Sequence, residues 1–475
     1  MFTELKPYPE LAAHDGVHSD VVPRHWTWHR IKSLAKLNPS RSEAREDIAS
    51  GAEATFLPME AVSSLGRVDY SRRIDPSMSA AGFTYFREGD VLVAKITPCF
   101  ENGKGACLEE LPTSFGLGST EFHVLRAGTE IDPKFLEAVT RTWRFRRLGA
   151  DAMTGSAGQQ RVPPEFVSSY AVALPPRAEQ EQIVRFLSHA NAGIDRAIAA
   201  KRKMIGLLKE QERAIVTQGV TSAYESNASS RYSGFSWLGN IPSGWAVMRA
   251  KRLFREVDER STTGLEEKLS VSHLTGVSPR RLKNVTMFHP TSYVGHKLCR
   301  PDDLVVNTMW AWMGALGVAK VEGVVSPAYA VYRARVPDLV VPQYADFLLR
   351  SATYVANYKS RSTGIRPSRL RLYPDQFLAT PVLVPPVREQ ICLVRSIRAA
   401  ILGVERTAER CHGEVGLLQE FRTRLTSDVV TGQLDVREVA SKLPDLDPAD
   451  LACTEFNDSD DIDAVAEEFL DEDAL

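Results

Sequence analysis

Apolar residues Val184, Leu187, Ile194, Ile198, Ile205, Leu208 and Ile215 recur in steps of three and four, with polar Asn191, Lys201 and Glu212 completing the series. The same steps run through Val394, Ile397, Ile401, Val404, Ala408, Cys411, Val415, Leu418, Arg422 and Leu425, each 210 residues after its counterpart. A seam that keeps a 3.5-residue period over four heptads or more is a coiled-coil pattern. Asn191 and Lys201 interrupt the first seam where the second has Ile401 and Cys411, which fixes register or orientation at some cost in stability. A helix over residues 179–221 would be a rod of about 65 Å. Two unrelated core helices have no reason to share both an offset and a heptad phase, so the pair reads as a duplicated rod. Elsewhere short β-like runs (residues 91–96 and 331–336) alternate with helical stretches such as residues 133–148, predicting an α+β domain in each half.

The duplication is wider than the helices. Leu174-Pro175-Pro176-Arg177-Ala178-Glu179-Gln180 returns as Val384-Pro385-Pro386-Val387-Arg388-Glu389-Gln390. Leu207-Leu208-Lys209-Glu210 returns as Leu417-Leu418-Gln419-Glu420, and Val220-Thr221 as Val430-Thr431. An insertion in either copy would break the register, so the length itself matters. Each half opens with a Pro-x-x-Trp phrase, at Pro23 to Trp26 and Pro242 to Trp245. Each has an acidic turn entering an apolar run, Gly89-Asp90-Val91 and Asp302-Asp303-Leu304, and a Thr-Gly loop, Thr154-Gly155 and Thr363-Gly364. Between these landmarks the halves differ, as expected of one scaffold carrying two specificities. The boundaries read as an N-terminal tail (1–19), a first domain (20–174), a first spacer helix (175–221), a Ser/Gly/Asn-rich linker (222–239), a second domain (240–384), a second spacer helix (385–437) and an acidic tail (438–475).

Charge sharpens this division. The 475 residues carry a net charge of -2, but residues 445–475 hold 13 Asp and Glu with no Lys or Arg. The remainder has 58 basic and 47 acidic side chains, a net of +11 that would attract a polyanion. Within the tail, Ile462, Val465, Ala466, Phe469 and Leu470 fall on one helical stripe, against the plainer expectation of a solvated segment. Six dispersed cysteines form neither a disulfide framework nor a zinc signature. The chain has no long apolar run and no signal-peptide pattern, so a cytoplasmic protein without membrane contact is expected.

Two variable domains alternating with two repeated helices, each entered by Pro-Pro-x-x-Glu-Gln and ending near Val-Thr, resemble the specificity subunit of Type I restriction–modification enzymes. The resemblance covers residues 20–437; the acidic extension after Val439 departs from it. It implies an α+β fold in which two globular target-recognition domains are separated by two long helices pairing as an antiparallel coiled coil, with a pseudo-twofold internal repeat. It further implies that each domain reads one half of a bipartite, asymmetric site on double-stranded DNA, and that the rod sets the gap. Two methyltransferase subunits would dock on the chain, joined in some systems by two restriction/translocase subunits. S-adenosylmethionine would belong to the methyltransferase, and ATP and Mg to a restriction partner. No cofactor is expected in this chain, and target adenines would be flipped into the partner.

The residues agree with a non-enzyme. There is no glycine-rich cofactor loop opening a helix, no Asn-Pro-Pro-Tyr or Asp-Pro-Pro-Tyr, and no Walker lysine. The histidines, including His25, His29, His123, His273, His289 and His296, lack metal-ligand spacing. Residues 240–384 hold 20 Lys and Arg against 11 Asp and Glu. Within them Lys359, Arg361, Arg366, Arg369 and Arg371 surround Thr363, a loop suited to phosphate contacts and bidentate guanine readout. The first-half counterpart is Thr154, Gly155, Ser156, Gln159, Gln160 and Arg161, whose glutamines suit adenine edges. A second pair of candidate loops holds Lys95, Thr97, Asn102 and Lys104 in one half and Asn307, Trp310 and Trp312 in the other. The plainer expectation for these residues is solvated arginine and core tryptophan. The rival functions are an autonomous DNA-processing enzyme, which would act on DNA alone, and a coiled-coil adaptor, which would show no salt-sensitive DNA binding.

Overall fold

The structure is a computed structural model and describes residues 5–13, 21–76, 82–156, 158–221, 229–282, 292–364 and 370–446. The fold is α+β. Two compact units share the chain, one drawn from Met1–Lys201 and Gly413–Asn457, the other built on Arg202–His412. Two long helices, α1 (Arg177–Thr221) and α2 (Val387–Val430), each contribute one end to each unit.

In the first unit a sheet forms from β1 (Ala35–Leu37), β2 (Asp90–Ala94), β3 (Gly105–Cys107) and β4 (Phe122–Ala127), all antiparallel in the order β1-β4-β2-β3. Val91, Leu92, Val93 and Ala94 are buried in succession, so β2 is covered on both faces. Thr27–Arg30 pairs with Ala171–Leu174, Thr27 opposite Leu174, bringing the Trp26 phrase against the Pro-Pro phrase. The stretch expected as one helix over 133–148 is two, Pro133–Arg141 and Trp143–Asp151. Thr142 takes ψ 142 between them and its side chain caps Phe145, which ends one helix and starts the next. A smaller sheet (Ala54–Leu57, Arg73–Ile74, Thr84–Phe86, Gly116–Gly118) has a glycine at 116 because a Cβ there would strike the Phe86 ring.

In the second unit β5 (Phe254–Val257), β6 (Leu304–Val306), β7 (Leu316–Val318) and β8 (Ala330–Ala334) form a sheet in the order β5-β8-β6-β7, the same topology. Ala246–Arg249 pairs with Pro381–Val384, Ala246 opposite Val384. Helices Pro342–Arg350 and Ala352–Arg361 break at Ser351 with ψ 152, as at Thr142. Part of the expected linker is ordered as strand, since Ser230–Tyr232 pairs with Asn240–Pro242.

Each core takes in a piece of both long helices. In the first unit Ile183, Phe186 and Leu187 of α1 and Leu425, Val429 and Val430 of α2 pack with Trp26, Phe135 and Val172. In the second, Val220 of α1 and Leu393, Val394, Ile397 and Ile401 of α2 pack with Trp245, Tyr344 and Val382. Within the first unit Asp195 pairs with Arg422 and Lys201 with Glu414 (2.6 Å), so the helix segments run in opposite directions. In the second, Met204 meets Cys411 (3.8 Å) and Gly219 lies against Ile397, again oppositely directed. Of the seam residues, Leu187, Ile194, Ile198, Ile205, Val394, Ile397, Ile401, Val404, Cys411 and Leu425 are buried, whereas the other ten, Leu208, Val415 and Leu418 among them, are half-buried.

Two buried polar devices appear in both units. Gln180 accepts from Asp132 N (2.7 Å) and donates to Glu130 O and Pro175 O (both 2.9 Å). Gln390 accepts from Val341 N (2.8 Å) and donates to Leu339 O (3.0 Å) and Pro385 O (2.8 Å). Each amide thus ties the helix entry to its domain with every partner a main-chain atom. The acidic turn is the second device. Asp90 takes a bidentate bond from Arg126 (2.8 and 2.7 Å), and Asp303 takes one from Arg333 (both 2.8 Å). Glu43 completes the first pair, and Glu259 the second at 2.8 Å.

Candidate nucleic-acid interface

The two candidate loops of the first half lie side by side. The chain leaving β2 passes Lys95 to the cis Thr97–Pro98 bond. The Thr-Gly loop folds back on itself through Thr154 and Arg161, which exchange both main-chain bonds (3.0 and 2.8 Å). It docks on the first loop through Thr97 N to Gln160 O (3.0 Å) and Val162 N to Lys95 O (2.8 Å). Gly155 has φ +120, a conformation that favours glycine. Beneath it His123, buried, has its Nε2 2.9 Å from Val162 O, and burial pushes its pKa below the usual histidine range.

Thr154, Gly155, Ser156, Gln159, Gln160 and Asn102 are exposed on this surface, and Lys95 is half-buried. Other expected contacts are engaged within the protein. Arg161 gives its Nε and Nη2 to Glu121 (2.9 and 3.0 Å), and hydrogen bonding from Arg161 holds the Glu121 carboxyl below the usual range. Thr97 Oγ1 donates to Glu101 (2.6 Å), and Lys104 Nζ points to Met59 O (3.2 Å).

The second half repeats the docking. Thr363 and Arg371 exchange main-chain bonds (3.1 and 2.9 Å), and Leu372 N donates to Thr308 O (2.8 Å). Lys359 is exposed at the end of helix Ala352–Arg361, and Arg361 donates to Asn357 Oδ1 (2.9 Å). Trp310 and Trp312 are half-buried and stack, with ring centroids 5.8 Å apart and Trp312 Nε1 donating to Met309 O (2.9 Å). Asn307, expected at this surface, is instead wholly buried. Its Oδ1 accepts from Met309 N (3.2 Å) and its main chain closes the turn, the usual work of asparagine in a tight bend. Arg366 and Arg369 lie outside the described residues, as do Ile462, Val465, Ala466, Phe469 and Leu470 of the tail.

Sequence reasoning passed over His123, Glu121 and the Asp–Arg pairs. The pairs had a signal, since Arg126 and Arg333 stand at similar distances after the two acidic turns. Among the described residues no group of three or more His, Cys, Asp or Glu is arranged to hold a metal, and no helix is long and apolar enough to cross a membrane.

Two curated proteins of Escherichia coli align with part of the chain. The EcoAI specificity subunit is 34% identical over 183 residues, 38% of this chain and 30% of its own length. The EcoEI specificity subunit is 34% identical over 165 residues, 34% of this chain and 27% of its own length. The relatives are Type I restriction enzyme specificity subunits. The chain spans under a third of the length of these specificity subunits in the matched region. Among solved structures, a chain described for complex assembly and conformational transition of the type I R-M system matches at a TM-score of 0.59 and 19% identity. The match covers 87% of this chain and 99% of that chain, so the fold is shared over almost its whole length. No family model matches.

Proposed function

We propose that this chain is the DNA-recognition subunit of a Type I restriction–modification complex and has no active site of its own. One observation carries the reading. Two α+β domains share a sheet topology, a glutamine clamp and a buried Asp–Arg pair, yet present different docked loops. Repeated support under unlike surfaces is what reading two unlike half-sites requires. The name of the relatives points the same way.

In this reading residues 20–174 and 240–384 are the recognition domains. The helices pair as an antiparallel coiled coil whose length sets the unspecified gap, and a pseudo-twofold relates the halves. Gln159 and Gln160 read bases in one half-site, with Lys95 on phosphate. Lys359, Arg369 and the Thr363 loop serve the other half-site, where a domain net charge of +9 favours DNA. Two methyltransferase subunits supply S-adenosylmethionine and the catalytic pocket, and restriction subunits with ATP and Mg join where present.

The test is to express the chain with its neighbouring methyltransferase in a host lacking methylation and to map modified adenines genome-wide. A bipartite motif is expected, and replacing residues 240–384 with a related domain should change one half of it alone. No motif, or change in both halves, overturns the reading.

A further inference from the structure

The first unit contains a cavity of about 480 Å³ between its α+β domain and its segments of α1 and α2. Its charged lining is five cations (Arg67, Lys134, Arg141, Arg146, Arg422) and three carboxylates (Glu109, Glu137, Asp195), a residual +2. The carboxylates are already committed. Lys134 pairs with Glu109 (2.8 Å), Arg141 with Glu137 (3.0 Å), and Asp195 is shared between Arg67 (3.3 Å) and Arg422.

Among the described residues Arg146 has no carboxylate partner. Its Nη1 donates to Glu101 O at 3.3 Å and its Nε is buried without a hydrogen bond. Burial and the neighbouring Arg141 push its pKa below the usual arginine range. Arg422 lines the same space with its guanidinium held by Asp195, while its Nε is buried in the protein. A half-buried guanidinium without a carboxylate partner, lining a cleft of net positive charge, favours an added anion.

The scaffold does not require this charge. At the positions 210 residues away, Glu405 replaces Asp195 and Glu212 replaces Arg422. There burial and Glu405 raise the Glu212 pKa against the pull of Arg350, Arg213 and Lys209, so the Asp195–Arg422 ion pair is not repeated. The cationic cavity belongs to one half of the duplication.

We propose that this cavity binds a phosphate group, with the Arg146 guanidinium as its principal donor and the Arg422 guanidinium beside it. A terminal phosphate dianion matches the residual charge and a phosphodiester monoanion half of it, and the oxygens of either suit guanidinium forks. Asn102, Asn191 and Thr423 line the same space and offer neutral donors. The volume lies within the range of about 300–1,000 Å³ found for small-molecule sites. The phosphate comes either from a free di- or triphosphate or from a DNA backbone, and only the second source rests on the proposed function.

Thermal unfolding of the full chain with its methyltransferase partner, with inorganic pyrophosphate or chloride of equal ionic strength, tests the free source. Pyrophosphate alone should raise Tm for wild type and R146K, and not for R146Q. If pyrophosphate has no effect, R146Q should lower the slope of log affinity against log salt for duplex DNA by about one, with the methylated motif unchanged, which assigns the backbone as source. If R146Q does not fold by circular dichroism, R422Q takes its place in both arms. Absence of both effects overturns the proposal. Failure of the motif-mapping experiment leaves the pyrophosphate arm intact.

Discussion

Gln180 and Gln390 illustrate what one side chain decides. Both are fully buried, and each makes three hydrogen bonds to main chain. Replacing Gln180 with Leu strands one N–H and two carbonyls, which costs about 2–4 kcal/mol. Denaturant unfolding should show that loss, and a neutral result would remove the clamp from the account. Asp90→Asn leaves Arg126 without its bidentate partner; a loss of about 3 kcal/mol is expected, with a similar loss for Asp303→Asn against Arg333. The exposed side chains divide differently. Gln160→Ala should alter one half of a methylated motif, whereas Lys95→Ala should lower the salt slope of binding by about one and leave the motif alone. At this scale the sequence showed which residues repeat, but not what they touch. The Asp of each acidic turn reads as turn chemistry because its arginine lies 36 residues ahead in one half and 30 in the other. Asn307 reads as a polar loop residue for the same reason: its burial comes from long-range packing.

At the scale of elements, periodicity was the stronger guide. Both long helices are present, and ten of the twenty seam positions are buried. The helix expected over 133–148 divides because Thr142 caps its own successor, a local competition that apolar spacing does not register. A one-residue insertion between Ala199 and Ala200 rotates Ile205 and Leu208 about 100° off the seam. A marked fall in Tm is expected, and an unchanged melt would show that the seam contributes little. Glu212 gives a pH test. Its folded pKa is raised, first by burial and then by Glu405, so the folded state holds the proton more tightly than the unfolded state. Its contribution is therefore most favourable below the unfolded value of about 4.3 and declines as pH rises through the folded value. Glu212→Gln should stabilise the chain at neutral pH, with the advantage over wild type vanishing in acid; melts across pH check this.

For the whole molecule, charge and duplication act together. Residues 447–475 carry 12 of the 60 acidic side chains, so deleting them changes the net charge from -2 to +10. In the proposed role this deletion should tighten binding to any duplex at low salt, with the difference fading as salt screens it. Anisotropy titrations over a salt series would show it, and equal affinities at low salt would exclude an electrostatic effect of the tail. The α+β fold and its two copies could be read from the sequence because the repeat keeps its register. The loops that differ between copies could not, since nothing periodic constrains them.

The glutamine clamp has one more consequence. Its six hydrogen bonds end on backbone atoms, which every amino acid supplies alike. The fastening therefore makes no demand on the identity of the residues it holds. A gene built on this plan can exchange the DNA between its repeated phrases by recombination and still encode a chain that closes correctly. In the proposed role, new preferences would then be inherited as whole cassettes rather than assembled one mutation at a time.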